Sequence, residues 1–267
     1  MRDFHLPGRS GTYATNGMCA TSHPLAAKTA IDILERGGNA MDAAIAGAVL
    51  LGFCEPQMTG IGGDCFALFT TPGEPGIRAL NGSGRAPAAA SAEALRAAGH
   101  ASVPLHSPHA VTIPCAIDAF CRLSADHGRL GLDALLAPAI RYAEEGVPVA
   151  PRVAFDWPRA GAALQGHGIT HFSRSGAPLK TGDIFRAPGQ AEVLRRIAKD
   201  GAKAFYQGEV AEDMVTALQA AGGVHTLLPA HWQHISLLLL PLILLPTLLH
   251  VFAQLHILLL RLLLLRL

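Results

Sequence analysis

Apolar and small residues recur at helical spacing through Leu25, Ala26, Ala30, Ile33 and Leu34, and Gly37-Gly38 ends the run. The first predicted element is therefore an amphipathic helix. Ser22 has the chemistry of its N-cap, and Pro24 falls in the first turn, where a missing N–H costs little. Asn39 with Asp42 three residues on reads as a capping box. It opens a second helix, from Ala40 to about Phe53, that is almost wholly apolar and small, the pattern of a helix buried on every side. Glu55-Pro56 stops it. After Gly60-Ile61-Gly62-Gly63-Asp64, the run Cys65-Phe66-Ala67-Leu68-Phe69 predicts a strand, Thr71 to Gly76 a turn, and Ile77 to Leu80 a returning strand.

The rest of the pattern predicts helices over Ala92–Ala98, Ala116–Asp126, Leu132–Glu145, Arg152–Leu164, Gln190–Asp200 and Glu209–Ala221, with a loop or hairpin over Ser173–Asp183. Few strands stand among many helices, and they do not alternate as βαβ units. The pattern then changes at about Thr226. From Leu227 to Leu267, 20 of 41 residues are Leu, and none is Asp, Glu or Gly.

Composition adds mostly exclusions. A chain of 267 residues buries a sizeable core, and a net charge of +1 without a basic stripe gives nucleic acid no handle. Five cysteines, with no C-x-x-C pair, fit reduced thiols better than disulfides or zinc. The pairs His106/His109 and His231/His234 lack a third ligand, so no metal and no cofactor is expected. Met1 to Gly8 has no apolar run, so a cytoplasmic location is expected.

Three collinear stretches carry a family resemblance. The first joins Leu34-Glu35-Arg36-Gly37-Gly38-Asn39-Ala40-Met41-Asp42 to Glu55-Pro56-Gln57-Met58-Thr59-Gly60-Ile61-Gly62-Gly63-Asp64. The second runs from Val111-Thr112-Ile113-Pro114 to Ala143-Glu144-Glu145-Gly146, and the third joins Gln190-Ala191-Glu192-Val193-Leu194, Phe205-Tyr206-Gln207-Gly208 and Gly222-Gly223-Val224. Together, over about residues 15 to 226, they resemble the large-chain portion of the γ-glutamyltransferase (γ-glutamyltranspeptidase) family of N-terminal-nucleophile hydrolases, of cytoplasmic bacterial type. The resemblance implies an α/β (α+β) fold, here an incomplete αββα four-layer Ntn-hydrolase. It implies a precursor cut before a Thr, whose hydroxyl is the nucleophile and whose α-amine is the base. The substrate implied is a γ-glutamyl amide of the glutathione class, and the nucleophile belongs to a separate small chain.

The resemblance also frames the candidate site. Better-known members carry Arg-Glu-x-Ala-Pro, whose Arg grips the glutamyl α-carboxylate with a guanidinium fork. Aligned on Ala86-Pro87, that position holds Ser83, and Arg85 lies two residues on. Ser83 and Arg85 are therefore the substrate-binding candidates, and two readings of Arg85 stay open: a carboxylate ligand from a shifted loop, or a surface residue. No catalytic residue is assigned. Thr170-His171-Phe172-Ser173 imitates the family's cut site, but Ser175 to Asp183 matches a large-chain loop, which puts Thr170 on the scaffold. Gly60 to Asp64 precedes a strand rather than a helix, so it reads as a tight turn, capped by Asp64, and not as a phosphate cradle. Cys115 reads as a small buried thiol.

Residues 1–226 are thus expected to form a truncated large-chain domain that is inactive alone and lacks its small chain. Residues 227–267 read as a Leu-rich helical tail, either out-of-frame text or a membrane-like segment, since no charge falls between Leu227 and Leu260. Two alternatives accompany this reading: a membrane-tethered scaffold without catalysis, and a fragment of a related amidohydrolase with another acyl substrate.

Overall fold

A computed structural model describes residues 11–227 and the backbone of residues 236–240. Two helices that pack on each other come first, α1 (Pro24–Glu35) and α2 (Ala40–Cys54). The cap of α1 differs from expectation. His23 is the N-cap, its Nδ1 accepting from the Leu25 N–H at 3.2 Å, while the Ser22 hydroxyl is drawn off to donate to Glu55 Oε2 at 2.7 Å. The bond to a charged acceptor fixes the orientation of the Ser22 hydroxyl, and the cap falls to His23. The capping box of α2 forms as expected, with Asn39 accepting from the Met41 and Asp42 N–H groups and Asp42 accepting from the Asn39 N–H.

α2 is the centre of the core. Ile45, Ala46, Val49, Leu50 and Phe53 are all buried, and the helix touches α1 and two later helices, α4 (Ala116–His127) and α5 (Leu132–Glu145). Gly52 lets the chain return closely beneath it, because a Cβ there would lie 2.9 Å from the Gly60 Cα.

Strands β1 (Cys65–Phe69) and β2 (Ile77–Gly82) form an antiparallel hairpin in which Cys65 opposes Gly82 and Phe69 opposes Arg78. A small helix, α3 (Ala92–Ala97), follows. The other edge of β2 pairs with β5 (Ser236–Leu240), Leu237 opposite Leu80. The Leu-rich segment was expected to be helical, and these five residues are instead a strand that completes a three-stranded sheet, order β1-β2-β5. β-branched or Leu-rich runs satisfy their backbone equally well on an open strand edge, and β2 offers one. The remainder of the expected membrane-like tail lies outside the described residues. Among the described residues no helix is long and apolar enough to cross a membrane.

The two faces of the hairpin differ. Leu80 and Gly82 are buried and Ala67 is partly buried, toward α4, whereas Phe66 is 65% and Leu68 51% exposed on the opposite face. The helical layer therefore covers one side of the sheet and leaves aromatic and aliphatic side chains bare on the other.

Beyond α5, a two-residue ribbon pairs β3 (Val147–Pro148) with β4 (Ile184–Phe185), on either side of α6 (Pro151–Gly161) and α7 (His167–Phe172). Phe185 gathers an aromatic cluster: Phe53 stacks on it at 5.1 Å between ring centroids, and Trp157 meets it edge-on at 5.6 Å. Helices α8 (Pro188–Asp200), α9 (Lys203–Tyr206) and α10 (Glu209–Ala220) close the described fold, α8 against α5. The ribbon, α7 and α9 have no counterpart in the expected elements, because runs this short carry no period to read.

Candidate functional site

Three chain segments meet where β2 ends: the turn before β1, the Ser83–Arg85 segment, and residues 112–116 leading into α4. Their meeting is made almost entirely of backbone hydrogen bonds. The Gly63 carbonyl accepts from the Cys115 N–H at 3.1 Å and the Ala116 N–H at 2.9 Å. The Arg85 carbonyl accepts from the Ile113 N–H at 2.9 Å. The Asn81 side chain accepts from the Ser83 N–H at 3.0 Å, folding the chain sharply out of the strand. Gly84 then passes so close to residues 112–113 that a Cβ on it would lie 2.1 Å from the Ile113 carbonyl oxygen. Only glycine permits that approach.

Asp64 joins this junction in a way the sequence reading missed. Its carboxylate does not cap its own turn. Oδ1 instead accepts from the Gly84 N–H at 2.8 Å, across twenty positions of chain. Tyr206, within the third resembling stretch, also joins the junction. Its hydroxyl donates to the Pro114 carbonyl at 2.7 Å and accepts from the Asp118 N–H at 3.0 Å. α4 has no side-chain cap of its own, so this tyrosine satisfies one of its free N–H groups from α9. Burial pushes the Tyr206 phenol far up, so it stays protonated and keeps donating. No local spacing signals a bond between residues 92 positions apart.

The two candidate binding residues sit side by side on this frame, and both are exposed. Neither makes a side-chain hydrogen bond or ion pair with the described residues. Cys115, expected to be a buried thiol, is only partly buried and lies within the electrostatic reach of Arg85. Burial pushes its thiol up, and Asp118 and Asp64 add to that. The Arg85 charge, and a hydrogen bond from the Arg85 N–H to the sulfur, pull the other way. The raising influences are the stronger, so the thiol's pKa lies above its ordinary value. Burial also holds Cys54 and Cys121 high, at about 12.

The other candidates are not brought here. Thr170 lies inside α7, and Ser173 folds its hydroxyl back to donate to the Ile169 carbonyl at 2.5 Å. A Thr in mid-helix has its amine locked in a peptide bond. His106 and His109 are exposed, and the described residues contain no group of three potential metal ligands. His231 and His234 lie outside the described residues. The arrangement can therefore present a guanidinium and a hydroxyl from a rigid backbone junction. It supplies no nucleophile–base pair of its own among the described residues.

A sequence profile described as gamma-glutamyltranspeptidase matches residues 26–228. The chain is 33% identical over 216 residues to a glutathione hydrolase-like YwrD proenzyme of Bacillus subtilis, covering 80% of this chain and 41% of that protein. It is 37% identical over 235 residues to an oxamate amidohydrolase proenzyme of Klebsiella pneumoniae, covering 83% and 43% respectively. The chain thus spans about two-fifths of the length of these relatives. Among solved structures, it resembles the γ-glutamyltranspeptidase of Helicobacter pylori, with a TM-score of 0.79 at 27% identity over 85% of this chain and 67% of that one. It also resembles a cephalosporin acylase of Bacillus halodurans, with a TM-score of 0.77 at 41% identity over 84% of this chain and 43% of that one.

Proposed function

The chain belongs to the gamma-glutamyltranspeptidase family, and from that premise we propose that it is the substrate-binding portion of an enzyme that cleaves γ-glutamyl amides. In this reading Arg85 takes the α-carboxylate of the glutamyl group and Ser83 donates beside it. The observation that carries the reading is the exposed Arg85 guanidinium, presented from a segment that backbone hydrogen bonds hold on both sides. Rigid placement matters because a two-pronged carboxylate contact depends on orientation as well as charge.

The nucleophilic Thr and the groups that stabilise the oxyanion come, in this proposal, from a second polypeptide segment that seats on the bare face of the sheet at Phe66 and Leu68. Two side chains of that size at half exposure or more on adjacent same-face positions favour a covering partner. The chain alone is then without turnover. Release of anilide from a γ-glutamyl anilide by the purified chain, lost on Thr170→Ala, would overturn that assignment.

A second reading has its own support. Ser83 occupies the position where the resemblance implies an arginine, and the oxamate amidohydrolase and the cephalosporin acylase are 37% and 41% identical to the chain. Here the acyl group is small and lacks the glutamyl α-amino carboxylate. Isothermal titration calorimetry separates the two. In the first reading glutathione binds the chain and Arg85→Gln removes the binding heat. In the second, oxamate binds, glutathione does not, and Arg85→Gln removes the oxamate signal. Binding of neither ligand would refute the site.

A further inference from the structure

We infer that Asp64 is a positioning residue for Arg85, holding the Ser83–Arg85 segment in the conformation that presents the guanidinium. This inference rests on the binding role proposed for Arg85 and names the group that makes it possible.

Besides the Arg85 N–H on the Cys115 sulfur and the Ser83 N–H on the Asn81 side chain, the backbone around Arg85 is held at three points. The Arg85 carbonyl is tied to the Ile113 N–H at 2.9 Å. Gly84 is wedged against Thr112 and Ile113 so tightly that any side chain would collide. The Gly84 N–H is tied to Asp64 Oδ1 at 2.8 Å. The first two restraints act on one side, against the strand-like segment at 112–113. Asp64 reaches from a different element, the turn before β1, and sets the plane of the Ser83–Gly84 peptide. Without it, the Gly84 N–H loses its one described partner, the Ser83–Gly84 peptide can rotate, and Ser83 and Arg85 are no longer presented together.

The turn that carries Asp64 does not need this carboxylate. Its own closure comes from the Gly63 N–H bonded to the Gly60 carbonyl, and α4 grips it through the two N–H groups on the Gly63 carbonyl. The Asp64 side chain is exposed, so it fills no core space. A residue whose removal leaves turn and core intact, and whose one described hydrogen bond fixes the neighbour of Arg85, has its consequence at Arg85. An ionised acceptor makes a stronger bond to a backbone N–H than a neutral one.

The test compares Asp64→Ala with Asp64→Asn in the full chain. Asn keeps an acceptor oxygen for the Gly84 N–H and removes the charge, whereas Ala removes both. The first readout is amide hydrogen exchange at Gly84 and Arg85. Asp64→Ala is expected to speed it about tenfold or more, the loss of one charge-assisted bond. Asp64→Asn is expected to stay within about threefold of the unmodified chain. The second readout is affinity for the ligand that binds the unmodified chain, glutathione or oxamate. It is expected to fall at least about tenfold in Asp64→Ala and to be largely restored in Asp64→Asn, with the melting temperature nearly unchanged in both.

A third readout is the alkylation of Cys115 by iodoacetamide against pH, followed on the Cys115 peptide by mass spectrometry. The charged groups that act on this thiol are Asp118 from α4, Asp64 from the β1 turn and Arg85. Asp64→Asn removes one raising carboxylate while keeping the segment in place, so the alkylation profile moves to lower pH. Unchanged exchange at Gly84 in Asp64→Ala would overturn the inference, whether or not any ligand binds. Failure of both ligands to bind the unmodified chain, with exchange responding as expected, would refute the binding role of Arg85 and leave the positioning of its backbone standing. Equal loss of affinity in the Asn and Ala variants would also overturn it, since charge and not placement would then be what Asp64 supplies.

Discussion

Replacing Asp42 with alanine tests the core of the fold most severely. Asp42 is 0% exposed, yet its carboxylate is fully engaged with backbone N–H groups. Oδ2 accepts from the Asn39 N–H at 2.9 Å and from the Arg129 N–H at 2.9 Å. Oδ1 adds a second contact to Arg129 at 3.2 Å, and the Leu130 N–H approaches both oxygens at 3.4 Å. One side chain thus completes the capping box of α2 and ties that helix to the turn between α4 and α5. Each hydrogen bond to a charged group contributes about 1.5–3 kcal/mol, and a buried donor left unpaired costs a comparable amount. Counting the two 2.9 Å bonds and giving the 3.4 Å contacts no weight, Asp42→Ala is expected to destabilise by roughly 3–6 kcal/mol. That is a large share of the roughly 5–15 kcal/mol that holds a typical domain. Asp42→Asn keeps one acceptor oxygen but turns an NH₂ toward N–H donors, so about half that loss is expected. Urea unfolding followed by circular dichroism measures both. A loss below about 1 kcal/mol for Asp42→Ala, with an unchanged denaturant slope, would refute this reasoning.

Three further outcomes are expected. His23 caps α1 with a neutral ring, and burial lowers its pKa below the ordinary value of 6.5, with Glu55 opposing. Its contribution to stability is full above pH 6.5 and is lost as pH falls from there toward the lowered value; His23→Asn, also a capping residue, should flatten that loss in melting curves run between pH 5 and 8. Tyr206→Phe strips a partner from the Pro114 carbonyl and the Asp118 N–H. It should cost about 1–3 kcal/mol in urea unfolding, and a change within about 0.3 kcal/mol would show the hydroxyl to be replaceable by water. Phe66→Thr with Leu68→Thr should leave the melting temperature nearly unchanged while reducing self-association in light scattering, because both side chains stand on the bare sheet face. A marked fall in melting temperature would mean that this face is packed within the chain.

Where a feature depends on neighbours in sequence, it was legible beforehand. The capping box at Asn39 and Asp42, the Gly37-Gly38 stop and the β1–β2 hairpin around its Pro-Gly turn all rest on spacings of a few residues. Misreadings began where two local options competed. Ser22 is the better cap by type, but Glu55, 33 positions away, claims its hydroxyl and His23 takes the cap. The ties that build the candidate site were invisible for the same reason: Asp64 to Gly84, Tyr206 to Pro114 and Asp42 to Arg129 link residues 20, 92 and 87 positions apart. The Leu-rich stretch shows the limit in another form. Its composition allows helix or strand, and the open edge of β2 decides for strand at Ser236–Leu240.

The central claim is that Arg85 receives the carboxylate of an amide substrate, and a crystal structure of the chain grown with glutathione tests it most directly. The expected result places a glutathione carboxylate within hydrogen-bonding distance of the Arg85 guanidinium, with Ser83 alongside and the Asp64 bond to Gly84 intact. Glutathione bound elsewhere on the chain, with the Arg85 guanidinium paired to one of the protein's own carboxylates, would contradict it.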